Sequence, residues 1–170
     1  VEFTGGCFSP LAYRNAVPEA VHRYKFSRVR AFGKPFGALM AQCLEEHLPL
    51  GADLICWAPL SRKRFRERGF NQAELLAREV GRLRLIPAQP VLWKMRDTGP
   101  QSELEEESAR RANARGVYSL LPGIDLAGKR VVLVDDVVTS GATLGECAAL
   151  LCQAGAEAVY GLTLAQARSD

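Results

Sequence analysis

Two adjacent carboxylates, Asp135 and Asp136, close an apolar run, and five small residues, Thr139, Ser140, Gly141, Ala142 and Thr143, follow within the segment RVVLVDDVVTSGAT. Paired carboxylates accept hydrogen bonds from vicinal sugar hydroxyls or from amide N–H groups. A turn of small residues lets backbone N–H groups approach an anion, and its hydroxyls add donors. The helix N-terminus it opens favours negative charge by roughly 0.3–1 kcal/mol or more. Together these are the parts of a phosphate cradle beside a hydroxyl-binding acidic pair, which is the chemistry of a ribose 5-phosphate. The same residues also fit an ordinary strand-to-helix turn with a capping box from Thr143 to Glu146.

The elements that must position these groups follow from the hydrophobic pattern. Val131, Val132, Leu133 and Val134 read as a strand buried on both faces, each fully buried side chain contributing roughly 1.5–3 kcal/mol. Neighbouring strand residues point to opposite faces. The expectation is therefore a strand over 129–134, with both acids beyond its end at the sheet edge or held by polar partners, because an unpaired buried carboxylate costs several kcal/mol. Helical segments are expected at 15–23 and 34–47, strands at 54–58, 90–94, 116–121 and 157–165, and helices at 71–84 and 143–154. The helix from Asn71 carries Ala73, Leu76, Ala77, Val80 and Leu83 at the spacing of a buried stripe. Short apolar runs separated by helices predict an α/β fold: a mostly parallel twisted sheet flanked by helices, with ligands beyond the strands' carboxyl ends. The division expected is an N-terminal helical segment over 1–50 and the α/β domain over 51–170.

The Arg130–Thr143 segment closely resembles the signature of the type I phosphoribosyltransferases. In that family the loop holds the 5-phosphate of phosphoribosyl pyrophosphate (PRPP), the acids bind the ribose 2- and 3-hydroxyls, and Mg²⁺ bridges ribose and pyrophosphate oxygens. The resemblance implies that Val138, Thr139, Ser140, Gly141, Ala142 and Thr143 bind the phosphate and that Asp135 and Asp136 bind the sugar. Mg²⁺ would arrive through PRPP, with no metal-ligand set in the chain itself. Purine-salvage members often carry Asp where Thr139 stands, so the implied acceptor is not a 6-oxopurine. A second resemblance covers Ala58–Val80 (APLSRKRFRERGFNQAELLAREV) and Met95–Tyr118, where Arg96, Gln101, Leu104, Arg111, Asn113 and Gly116 match. Both stretches resemble ComF-type competence proteins, and together the resemblances span most of Leu54–Leu164. That family usually carries an N-terminal four-cysteine zinc module. Cys7 reads as its last residue or, more simply, as a free thiol.

By the same resemblance Pro59, Leu60, Ser61 and Arg62 form the pyrophosphate loop, and Arg62, with Arg96 from the polar stretch 96–115, takes the leaving group as the catalytic pair. Arg62, Lys63, Arg64, Arg66 and Arg68 surround Phe65, with Phe70 close by. Clustered cations with aromatics also suit single-stranded nucleic acid, through phosphate neutralisation and base stacking of about 1–3 kcal/mol per base, with Arg64, Arg66 and Arg68 as contacts. A solvated basic loop or a pyrophosphate site accounts for the same residues. Two functions stand side by side: phosphoribosyl transfer to an unidentified acceptor, with no general base evident, and a PRPP-binding protein without turnover that acts with single-stranded DNA or the competence machinery.

Composition sets the outer limits. A chain of 170 residues, 48% hydrophobic and 24% charged, is that of one globular domain, neither disordered nor coiled coil. Its 22 Lys and Arg against 19 Asp and Glu leave only +3, so an anionic partner must be held by a local cluster. Five cysteines without a C-x-x-C pair argue against a disulfide framework or a complete zinc site and for a reducing cytoplasm. No apolar run approaches the ~20 residues of a membrane span, and residues 1–10 have no leader pattern. Val1 in place of Met gives the expectation of a clipped or truncated chain. GIDLAGK (Gly123–Lys129) has Walker A spacing, but Arg130 replaces the required hydroxyl and a strand follows instead of a helix, so it reads as a turn. His22 and His47 read as packing or surface residues, and Cys147 and Cys152 as core filling. Oligomeric state is open.

Overall fold

A computed structural model of the chain describes residues 5–26, 30–95 and 117–167. Two short strands, β1 (Cys7–Phe8) and β2 (Leu11–Ala12), precede helices α1 (Val17–Phe26) and α2 (Gly33–His47). Then come β3 (Leu54–Trp57), α3 (Arg62–Arg68), α4 (Gln72–Arg84), the β4 (Leu92–Lys94) and β5 (Tyr118–Leu120) pair, β6 (Arg130–Val138), α5 (Ala142–Gln153) and β7 (Ala158–Gln166). Of the residues expected to matter, Arg96, Gln101, Leu104, Arg111, Asn113 and Gly116 lie outside the described residues.

The main sheet is parallel throughout, in the order β1-β7-β6-β3, with β2 also against β7. The N-terminal residues thus supply two edge strands that hydrophobic patterning missed, because two-residue strands are too short to show a period. β4 and β5 form a separate antiparallel pair. Parallel strands need both faces covered, and the alternation along β3 and β6 does this. Ile55, Trp57, Val132 and Val134 join Leu162, Leu164 and the buried faces of α1, α2 and α4 in one core. Leu54, Cys56, Val131 and Leu133 join α5 and the β4–β5 pair in the other. In α4 the buried stripe is Ala73, Leu76, Ala77 and Val80, whereas Leu83, expected in it, is exposed. Gly37 lets α2 approach α4: a Cβ there would stand 2.6 Å from the Glu79 side chain.

β6 runs four residues past the expected end at Val134, so both acids lie within the strand. The reason is its partner: β7 pairs with it from Arg130↔Ala158 to Val138↔Gln166 and carries the ladder through Asp135. Cys147 is buried as expected, but Cys152 is exposed, since a spacing of five puts the two on different faces of α5.

Leu133 is fully buried between two strands and α5. Leu133→Ala should destabilise the chain by about 2–5 kcal/mol in urea unfolding, while Leu50→Ala, at a side chain 92% exposed, should stay within about 0.5 kcal/mol.

Candidate functional site

β3 ends at Trp57, opposite Val134 of β6, and the Ala58 N–H donates to Val134 O at 2.9 Å. The two chains leaving this edge enclose a cavity of about 180 Å³. From β3 come Pro59 and Leu60, and from β6 come Asp135, Asp136, Val138, Thr139, Ser140, Gly141, Ala142 and Thr143. Of the described residues expected to bind the sugar phosphate or its pyrophosphate, Arg62 and Ser61 do not line the cavity, Ser61 for a local reason. It is buried, and its Oγ accepts the Arg64 N–H at 3.3 Å as the N-cap of α3.

The strand places the two acids on opposite faces. Asp136 keeps the parity of Val132 and Val134 and turns toward α1 and α4. Its Oδ2 meets Lys25 Nζ at 2.8 Å and accepts the Gln72 Nε2–H at 2.9 Å, and its Oδ1 accepts the Val137 N–H at 2.6 Å. Burial pushes this carboxyl up, but the Lys25 charge and these donors prevail and hold it below the ordinary carboxylate range. Lys25 is itself held up by Asp136 against the effect of burial. Asp135 has no such cation in contact among the described interactions. Burial, and then the Asp136 charge, push it well above the ordinary range, although its Oδ1 accepts the Asp136 N–H at 2.8 Å. Of the two expected arrangements, edge exposure or polar partners, Asp136 takes the second as an anchored anion, while Asp135 is a carboxyl at the cavity wall.

The turn after β6 is shaped by Gly141, the N-cap of α5, at φ 77° and ψ 9°. This is left-handed backbone that costs a residue with a Cβ roughly 1–2 kcal/mol. No side chain caps α5. Thr143, expected to open a capping box, lies inside the first turn and hydrogen-bonds Tyr118 instead. Ser140 Oγ is 3.4 Å from the Ala142 N, a long contact. The beginning of α5 therefore meets the cavity with the small residues Gly141, Ala142 and Thr143, followed by Leu144.

The basic stretch expected as a loop is the helix α3, between the Ser61 cap and left-handed Gly69. Helical spacing sorts its cations. Arg64 and Arg68, four apart, line the cavity, while Arg62, Phe65 and Arg66 line a neighbouring groove of about 860 Å³. Arg62, expected on the leaving group, thus stands on the groove side, and Arg64 and Arg68, expected on nucleic acid, stand on the cavity side. Arg66 stays with the groove, whose other wall carries Leu92, Trp93 and Leu120. Phe65 is 47% and Trp93 41% exposed.

Lys25, Arg64, Arg68 and Lys94 line the cavity together with Asp135 and Asp136, a positive excess suited to a polyanion. Gln72, Lys94 and Tyr118 are not expected as site residues from the sequence, nor is Lys25 expected as the partner of an acid. Gln72 had a signal in the R-G-F-N-Q run, but the others reach the cavity only through tertiary packing. Gln72 Oε1 is buried without a partner.

The profile of the phosphoribosyl transferase domain matches residues 68–170. The DNA utilization protein YhgH of Escherichia coli K12 is 32% identical over 152 residues, 86% of this chain and 66% of that protein. Competence protein F of Haemophilus influenzae is 36% identical over 111 residues, 64% of this chain and 48% of that protein. Competence protein ComFC of Streptococcus pneumoniae is 29% identical over 154 residues, covering 91% and 65%. The chain spans less than two thirds of the length of these relatives. Among solved structures, the glutamine PRPP amidotransferase of B. subtilis complexed with ADP and GMP superposes with a TM-score of 0.52 at 25% identity, over 78% of this chain and 26% of that one.

The two acids should affect stability in opposite senses. Asp135 binds its proton more tightly folded than unfolded, so it costs stability as pH rises above about 4, the ordinary carboxylate value. Asp135→Asn should therefore raise the midpoint of thermal unfolding at pH 7, and the gain should vanish at pH 3–4. Asp136 contributes stability above pH ~4 that is lost as pH falls through its lowered value. Asp136→Asn should destabilise by about 3–5 kcal/mol at pH 7, because it strands the Lys25 charge.

Proposed function

The chain belongs to the phosphoribosyl transferase domain family, and from that premise we propose that its cavity binds PRPP with Mg²⁺ and transfers the phosphoribosyl group to an acceptor other than a 6-oxopurine. The observation that carries this reading is a single cavity in which the two acids of β6, the uncapped small-residue turn of α5 and the cations of α3 face one another. In this reading Thr139–Thr143 cradle the 5-phosphate with backbone and hydroxyl donors. Asp135 and Asp136 take the ribose hydroxyls. Arg64 and Arg68 face the pyrophosphate, the role expected from sequence for Arg62 and Arg96. The acceptor forms its bond to ribose C1 as the C1–O bond to pyrophosphate breaks, and both electrons of that bond leave with the pyrophosphate. The chain contributes positioning and charge stabilisation. Among the described residues no three His, Cys, Asp or Glu side chains cluster to hold a metal ion. A divalent cation at this cavity would thus take its oxygens chiefly from the ligand, and the positive wall suits a ligand still anionic with its cation. When bound, Mg²⁺ supplies charge neutralisation on the pyrophosphate.

A second reading is favoured by the groove. Phe65 and Trp93 present stackable faces beside Arg62 and Arg66, and Pro59, Leu60, Asn71 and Lys94 belong to both groove and cavity. In this reading the chain binds single-stranded nucleic acid there, with or without turnover in the cavity, in keeping with relatives named for competence and DNA utilization. Among the described residues no helix is long and apolar enough to cross a membrane, and a cytoplasmic site of action is part of the proposal.

Calorimetry with Mg-PRPP should show saturable binding that Asp135→Ala weakens by about tenfold or more, the loss of one or two charge-assisted hydrogen bonds. Undetectable binding at millimolar ligand defeats the reading. Pyrophosphate release across candidate acceptors then separates enzyme from binder. For the groove, single-strand affinity should fall steeply with salt, and Arg62→Ala with Arg66→Ala should lessen the slope by about 1–2. An affinity insensitive to salt removes the nucleic-acid reading.

A further inference from the structure

Asp136 is reached from two helices that are themselves locked together. Tyr24, fully buried on α1, donates its hydroxyl to the Gln72 backbone O at the start of α4, at 2.9 Å. Its ring meets Phe36 edge-on at 5.8 Å and Phe70 at 5.7 Å. With α1 and α4 joined in this way, the next residue on α1, Lys25, and Gln72 itself deliver their N–H donors to the same oxygen, Asp136 Oδ2. Val137 N–H takes the other oxygen. A carboxylate has about four acceptor sites, so three are filled by the protein and the carboxylate plane is fixed before any ligand arrives.

Gln72 argues that the arrangement serves more than packing. Its amide is oriented by giving its N–H to the carboxylate, which leaves Oε1 buried with no donor. A buried acceptor without a partner is unfavourable, and an apolar side chain of the same size would fill the space without it. The amide is explained by what its nitrogen does for Asp136. Lys25, moreover, lies outside the residues that the family profile matches.

We propose that Lys25 and Gln72 are positioning residues that hold Asp136 as an oriented hydrogen-bond acceptor for the ligand, making helix α1 part of the sugar-binding wall. The inference rests on the cavity's being a sugar-phosphate site. It adds that the acidic pair divides its work: Asp135 meets the ligand without a protein cation in contact among the described interactions, and Asp136 offers its remaining acceptor site from a preset plane.

The test combines a ligand-free and a ligand readout on the whole chain. Carboxyl ¹³C NMR follows Asp136, whose charged and titratable neighbours are Lys25 and Tyr24 on α1, Arg68 on α3 and Asp135 on β6. In Lys25→Met the Asp136 midpoint should rise by about one pH unit or more. Affinity for Mg-PRPP at pH 7 should fall about tenfold, as for a lost charge-assisted contact, and Lys25→Arg should restore most of both. Gln72→Met, which keeps the ion pair and the buried volume, should weaken affinity severalfold with a smaller rise in midpoint, and it keeps the test intact should Lys25→Met not fold. Wild-type protein without affinity for Mg-PRPP removes the ligand reading. Variants whose Asp136 titrates as in wild type remove the positioning role, whichever way the ligand experiment falls.

Discussion

The site depends on the carboxylate of Asp136 being buried at the carboxyl end of β6 against the Lys25 ammonium, 2.8 Å away. Such a pair is costly to desolvate, and its attraction offsets that cost only if further donors hydrogen-bond the carboxylate. Gln72 and the Val137 N–H meet that condition. Satisfying Asp136 inside the sheet edge lets β6 continue to Val138, carries Asp135 to the cavity wall, and starts the turn of α5 where its small residues face the same space. The arrangement costs stability at Asp135, whose burial beside a second acid opposes ionisation. A group held at a cost within a cavity is an indicator of function.

The short helix α3 is the second determinant. Seven residues with five cations have no apolar stripe, yet the Ser61 and Gly69 caps fix the helix and its phase. That phase turns Arg64 and Arg68 to the cavity and Arg62, Phe65 and Arg66 to the groove. Two surfaces of different chemistry, one polar and cationic, the other apolar with stackable rings, thereby meet at Pro59, Leu60, Asn71 and Lys94.

Much of this was legible beforehand, for identifiable reasons. The apolar runs of β3, β6 and β7, the buried stripe of α4 and the Gly155 stop after α5 carry strong periodic or punctuation signals, so the layered parallel sheet followed. The small-residue turn and the acidic pair were recognisable because their side chains act locally. What the sequence did not reveal depends on partners far along the chain. The end of β6 was misplaced because β7 extends the ladder, and the opposite fates of Asp135 and Asp136 are decided by Lys25, 111 positions away from Asp136. Strands β1 and β2 exist only by pairing with β7. The helical phase of α3 was hidden because charged residues all round give no period, although Ser61 and Gly69 marked its ends.

In the proposed function a sugar phosphate seats between the turn of α5 and the acids of β6. Titration of ¹⁵N-labelled protein with ribose 5-phosphate tests it most directly. Ribose 5-phosphate should saturably shift the amides of Ser140, Gly141 and Ala142 together with Asp135 and Asp136, and leave Phe65 and Trp93 unmoved. Shifts confined to Phe65, Trp93 and their groove, or no shifts at millimolar ligand, would contradict it.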